Sequence, residues 1–444
     1  MKRILIKNGQ TINEGKISTQ DILIDDGRIE KIASSISNVD VDKIIDVAGK
    51  YVLPGMIDDQ VHFREPGTEY KGEIKTESAA AVAGGVTSYM EMPNTKISTT
   101  TDENLADKKS RASKKSMANY AFYMGATNDN LEVIKAINPL EPCGIKVFMG
   151  SSTGNMLVDD PEILEGIFSN APIIVVTHCE DTPTILKNEE IFKEKYGIDL
   201  AAKYHPLIRS EEACYLSSTL AVQLAKKHDT NLHVLHLTTA KELEFFTAGE
   251  LKGKKISAEV CLHHLFFSEK DYEEKGHLIK CNPAIKREED RLALLKAFKD
   301  DKLDILATDH APHTWEEKQN NYFSAPAGIP LVQHVLIGAY DLVAQGHFSL
   351  EMLVQKTSHN VAERFQVKER GYLREGYWAD ITVLDVNKPT VVNDHELYAK
   401  CNWSPFEGHT FKASIDTTIV SGQLAYENGK LNTSVRGQAL EFNR

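Results

Sequence analysis

The feature that most constrains this chain is a succession of eight short apolar runs, at 55–61, 86–90, 120–125, 144–149, 173–177, 232–237, 256–261 and 303–307, separated by longer helical stretches. A run that is apolar at successive positions has no solvent face, so it predicts a strand covered on both sides. Amphipathic helices, such as those predicted over 161–169 and 289–299, supply that cover. Eight such units predict an α/β fold, a (β/α)₈ TIM-type barrel. Periodicity alone also admits an open doubly wound sheet.

Both ends of the chain read differently. Short β-branched runs at 4–6, 22–24 and 44–47 alternate with polar turns such as Asp26-Gly27, and the pattern returns at 377–386 and 417–426 with Ser421-Gly422 and Asn428-Gly429. This is hairpin grammar. It predicts one small β-sandwich domain built from both termini, with residues 1–53 and 366–444 flanking a catalytic barrel over 54–365.

Composition narrows the function. The six cysteines have no C-x-x-C pairing, which predicts neither a disulfide framework nor a zinc ribbon and fits a reducing, cytoplasmic setting. A formal net charge of −13 points away from nucleic acid, whose phosphates call for clustered Lys and Arg. No run approaches the roughly 20 apolar residues of a membrane span. The expected partner is a small molecule, and a homodimer is the default assembly.

Residues able to hold a cation recur at the carboxyl ends of the predicted strands, where barrel enzymes place their chemistry. The first run leads into Gln60-Val61-His62-Phe63-Arg64, and strand alternation turns Gln60, His62 and Arg64 to one side. Lys146 sits inside the apolar fourth run. Its ammonium either reaches solvent past the strand end or is chemically altered, for instance by carbamylation to a bridging carboxylate. His178 closes the fifth run, while the sixth contains His233 and His236. Alternation predicts that these two face opposite ways, and His236 lies nearer the strand end. Asp309 follows the eighth run, where it is able to bind metal and carry a proton. Neutral imidazole and carboxylate suit zinc. Singly, each residue has an ordinary structural reading; arriving in strand order, they predict a hydrolytic metal centre. His263, His264 and His310 are read as packing residues, and 314–326 as either a mobile lid or a plain surface loop.

The segments VHFREPG (61–67), MPNT (92–95), GIKVFMG (144–150) and ATDHAPH (307–313) resemble those of cyclic amidohydrolases of the dihydroorotase type, and the resemblance runs along nearly the whole chain. It implies a metal-dependent enzyme of pyrimidine biosynthesis that interconverts N-carbamoyl-L-aspartate and dihydroorotate. By that resemblance His62 and Asp309 hold one metal, His178 and His236 a second, and N6-carboxylated Lys146 bridges them. Asp309 is then also the proton shuttle. Arg64, Asn94 and His313 take the substrate carboxylate, and Asn282 the ring. One departure stands out: the family carries His-x-His where this chain has Gln60-Val61-His62. An amide is a poorer zinc ligand than imidazole, so one or two ions are expected, and a catalytically silent partner subunit is the rival reading. Hydantoinase or allantoinase activity is the rival among enzymes.

Overall fold

A computed structural model describes residues 3–150, 156–392 and 397–444. The N-terminal strands are β1 (Arg3–Asn13), β2 (Lys16–Asp25), β3 (Arg28–Ala33), β4 (Lys43–Asp46) and β5 (Tyr51–Pro54). The barrel strands follow: β6 (Met56–Val61), β7 (Val86–Glu91), β8 (Asn119–Phe122) with its continuation β9 (Met124–Gly125), β10 (Ile145–Phe148), β11 (Val175–His178), β12 (Leu232–Val234), β13 (Ile256–Cys261) and β14 (Ile305–Ala307). The remaining strands are β15 (Ile381–Asp385), β16 (Thr390–Val391), β17 (Thr410–Phe411), β18 (Ser414–Val420), β19 (Gln423–Glu427) and β20 (Lys430–Leu431).

The barrel strands pair in parallel in sequence order, β6 to β8 and β9 to β14. A parallel bridge between Val61 and His310, with the His62 amide donating to the His310 carbonyl at 2.7 Å, joins the last strand to the first. The chain is therefore a closed (β/α)₈ barrel and not an open sheet. The helices Pro161–Asn170 and Glu288–Lys299 cover it where the sequence placed them. Asp160 caps the former, its carboxylate accepting from the Glu162 and Ile163 amides, with Pro161 at the first helical position.

The two termini share one sheet, ordered β20-β19-β18-β15-β5-β1-β2-β3 with β4 beside β1. Ile4, Ile6, Ile22, Ile24, Val52, Ile381, Val383 and Ile419 form its buried core. Direct pairing of β5 with β15 stitches chain segments more than 300 residues apart into one β-sandwich domain. The end of the chain returns to the barrel, where Ala439 bridges to Tyr120.

One local expectation fails. The sixth strand ends at Val234, short of the predicted 237, and His236 adopts a left-handed φ of 39°. Alternation does not extend to it. His233 is buried against Ser257 and Glu259, and His236 is aimed into the pocket by the turn, not by strand parity.

Candidate active site

A cavity of about 380 Å³ opens at the carboxyl end of the barrel. Its lining brings together Gln60, His62, Arg64, Asn94, Lys146, His178, His236, Asn282, Asp309 and His313, every site residue picked out in the sequence. They come from the ends of six barrel strands and the loops beyond. Arg64 and Asp309, like His236, have left-handed φ values, 70° and 49°. Such backbone is strained for residues with a Cβ, and here it occurs where side chains must turn into one pocket.

Four nitrogen or oxygen donors meet in two facing pairs. In the first, His62 Nε2 lies 3.1 Å from Asp309 Oδ1. His62 Nδ1–H donates to Asn94 Oδ1 at 2.8 Å, which leaves Nε2 as the bare nitrogen turned toward the carboxylate. Gln60 turns its amide nitrogen to the same Asp309 oxygen at 3.1 Å, and its carbonyl takes the Cys261 thiol. In the second pair, His178 Nδ1 and His236 Nε2 face each other at 2.9 Å. His178 Nε2–H donates to Glu180 Oε2 at 2.9 Å, and Arg209 grips that oxygen at 2.6 Å. Burial works against ionisation of Glu180, but the Arg209 guanidinium and the His178 N–H bring its carboxyl down to about 2. His178 therefore presents an unprotonated Nδ1. His236 Nδ1 has no hydrogen-bond partner among the described residues.

Lys146, on β10, lines the same cavity. It is 1% exposed, so its amine does not escape past the strand end. Among the described residues it makes no ion pair and only lies over the Phe148 ring, 4.5 Å from the centroid. Burial brings its pKa down to about 7. Burial also lowers the pKa of His62, His178 and His236, keeping the imidazoles neutral.

The same cavity also carries a donor surface. Arg64 NH2 and His313 Nε2 lie 3.0 Å apart, and Arg64 Nε donates to the Pro312 carbonyl. Above them, 314–328 is clamped from below. The Lys318 ammonium, 1% exposed, donates to the carbonyls of Lys280, Pro326 and Gly328, and Lys280 donates to those of Tyr322 and Ala325. The segment is a pinned loop in this structure. His310 points away, its ring bonded to Glu77 at 2.8 Å and accepting from the Leu331 amide.

Sequence reasoning missed Glu180, Arg209 and a buried acidic layer. Glu180 had a signal, since it stands two residues after His178; Arg209 had none. The layer comprises Asp58 and Glu259, each pushed up to about 8 by burial, and Asp59, which burial also raises well above the usual carboxylate range. Asp59, His233 and Glu259 form one compact group of metal-type donors, and Cys261, His263 and His264 another.

The amidohydrolase family model matches residues 51–425. The chain belongs to the amidohydrolase family. It is 33% identical over 438 residues to a dihydroorotase of Bacillus thuringiensis, covering 95% of this chain and 98% of the relative. It is 32% identical over 418 residues to a dihydroorotase of Methanothermobacter thermautotrophicus, covering 93% of this chain and 92% of that one. The L-hydantoinase (dihydropyrimidinase) of Arthrobacter aurescens superposes with a TM-score of 0.93 at 25% identity, over 99% of this chain and 100% of that chain. Amidohydrolases are metal-dependent hydrolases, and the donors of this pocket fit a cation. The bare Nδ1 of His178 meets Nε2 of His236, the bare Nε2 of His62 faces a carboxylate, and the buried Lys146 lines the same cavity. Packed this closely, lone pairs and a carboxylate repel one another unless a positive charge sits between them.

Proposed function

We propose that this cyclic amidohydrolase is a dihydroorotase, interconverting N-carbamoyl-L-aspartate and dihydroorotate. The observation that carries the reading is the pairing of Arg64 with His313 in the same cavity as the histidine and aspartate cluster. A ring bearing a carboxylate satisfies both at once. A hydantoin has no carboxylate, and it leaves the Arg64 guanidinium without an anionic partner in a desolvated site.

His62 and Asp309 would hold one cation and His178 with His236 a second, zinc being the ion that suits these donors. Lys146, able to lose its proton near neutrality, would add carbon dioxide through its amine with release of a proton, and the carbamate would supply a further anionic ligand. A bound cation supplies polarisation of the ring carbonyl and a water acidified toward neutrality. The chain does the rest. Arg64 and His313 seat the carboxylate and Asn282 borders the ring, fixing which carbonyl faces the centre. In hydrolysis Asp309 accepts the proton of the attacking water and returns it to the departing ring nitrogen; in cyclisation the transfers reverse. Gln60, donating to Asp309 Oδ1, holds that carboxylate in place.

Hydantoin, allantoin and dihydroorotate assayed side by side with metal-loaded enzyme test the reading. Turnover of dihydroorotate above both others is expected. Preference for a ring without a carboxylate transfers the assignment to the hydantoinase type, and a metal-free, inactive protein to a silent partner subunit.

A further inference from the structure

The loop that carries Arg64 also brings a second cation to His313. Thr68 ties the loop to itself, its amide and hydroxyl donating to the Arg64 carbonyl at 3.2 and 2.8 Å, and the Lys71 amide donates to the Thr68 carbonyl at 3.0 Å. Lys71 Nζ thereby reaches His313 Nδ1 at 3.0 Å, on the side of the ring away from Arg64. An ammonium only donates, so Nδ1 must be the bare nitrogen. The other ring nitrogen gives the same answer. Nε2 lies 3.1 Å from the Ala327 carbonyl, which only accepts, so Nε2 carries the hydrogen. Glu317 does not compete for the ring: its carboxylate is 3.6 Å from Nδ1, too long for a hydrogen bond, whereas it is 2.9 Å from Lys71 Nζ. Glu317 is itself held by the Thr314 amide and the Tyr70 hydroxyl.

With this tautomer fixed, the 3.0 Å contact between Arg64 NH2 and His313 Nε2 joins two donors and is not a hydrogen bond. It is unfavourable until an anionic oxygen accepts from both, sharing the Nε2–H with the Ala327 carbonyl. Lys71 is not among the residues lining the cavity, so it acts through His313. We infer that Lys71, neutralised by Glu317, is a positioning residue that locks His313 as an Nε2–H donor and so sets the preference for a ring carrying a carboxylate. The inference rests on the carboxylate role of Arg64 and His313 proposed above.

The test is Lys71→Met in the metal-loaded enzyme, with Lys71→Arg as the conservative variant. KM for dihydroorotate is expected to rise roughly tenfold, the worth of one charge-assisted hydrogen bond, with kcat within about twofold. Lys71→Arg restores most of the loss. Inhibition by orotate, which bears the carboxylate, weakens in parallel, while inhibition by uracil does not change. Nitrogen-15 spectra of the His313 ring show the Nε2–H tautomer in the unsubstituted enzyme and a mixture in Lys71→Met. Should that variant not fold, Lys71→Gln, which keeps a neutral donor, is expected to fall between the two in KM. An unchanged KM, equal loss with orotate and uracil, or an Nδ1–H tautomer in the unsubstituted enzyme overturns the inference. If the unsubstituted enzyme turns over neither dihydroorotate nor carbamoyl-aspartate, the functional reading fails, and the ring tautomer still decides the role of Lys71.

Discussion

At the scale of single residues, the site is governed by which nitrogen of each histidine is bare, and buried partners decide that. Glu180 does it for His178, Asn94 for His62. Removing such a partner lowers metal affinity about 10- to 100-fold in comparable sites. Glu180→Ala is accordingly expected to weaken zinc binding by that factor in a competition titration, and unchanged affinity removes Glu180 from the centre. Asp309→Asn should retain the fold, read by its melting curve, and lose about a hundred- to ten-thousandfold in kcat, the usual size of a lost proton-transfer group. Near-normal turnover contradicts the proton role. Lys146 gives a pH prediction. Carbamate forms only from the neutral amine, whose fraction grows as pH rises through its pKa of about 7. At fixed dissolved carbon dioxide, the initial rate of carbon-13 carbamate formation in the metal-free protein should therefore increase with pH and level off above about 8. An ordinary lysine would keep gaining to about 10.4, and that curve refutes a tuned amine.

At the scale of elements, strand ends and loops do the aiming. Gly150, the last residue of GIKVFMG, shows why the segment after β10 ends as it does: a Cβ there would meet the Glu180 carbonyl oxygen at 1.9 Å. Only glycine lets the two strand ends approach, so Gly150→Ala must displace the segment carrying His178 and Glu180. The clamp on 314–328 gives a second prediction. Lys318→Met leaves the carbonyls of Pro326 and Gly328 without their donor, while that of Lys280 keeps the Gly328 amide, at a cost of about 1–3 kcal/mol for each that water does not reach. Faster hydrogen exchange confined to this loop is expected, and exchange equal to the parent shows that the clamp does not hold it. The strands and the flanking helices were legible in the sequence because covered parallel strands leave continuous apolar runs. The direction of His236 was not, since a left-handed backbone replaces strand parity there. The clamp was equally hidden: nothing local in the sequence marks Lys280 and Lys318 as buried.

At the scale of the whole molecule, the two ends of the chain meet beside the barrel. β5 and β15 pair at the entrance and exit of the barrel, so the sandwich acts as a clasp on the first and last barrel units. Arg370 pairs with buried Asp380, which also accepts from Asn119 in β8 and from the Ser421 amide, tying the clasp to the barrel wall. No helix among the described residues is long and apolar enough to cross a membrane. The convergence of His62, Lys146, His178, His236 and Asp309 was legible because a parallel barrel delivers all strand ends to one face. The buried layer of Asp58, Asp59, His233 and Glu259 beneath them was not, since those positions read as strand interior.

That layer sharpens the decisive experiment, because it offers cations a competing home. Anomalous diffraction at the zinc edge, from crystals of the loaded enzyme holding dihydroorotate, locates ion and ring together. The account predicts anomalous density coordinated by His178 Nδ1 and His236 Nε2, with the ring carboxylate on Arg64 and His313. Density confined to Asp59, His233 and Glu259, or to Cys261, His263 and His264, contradicts it.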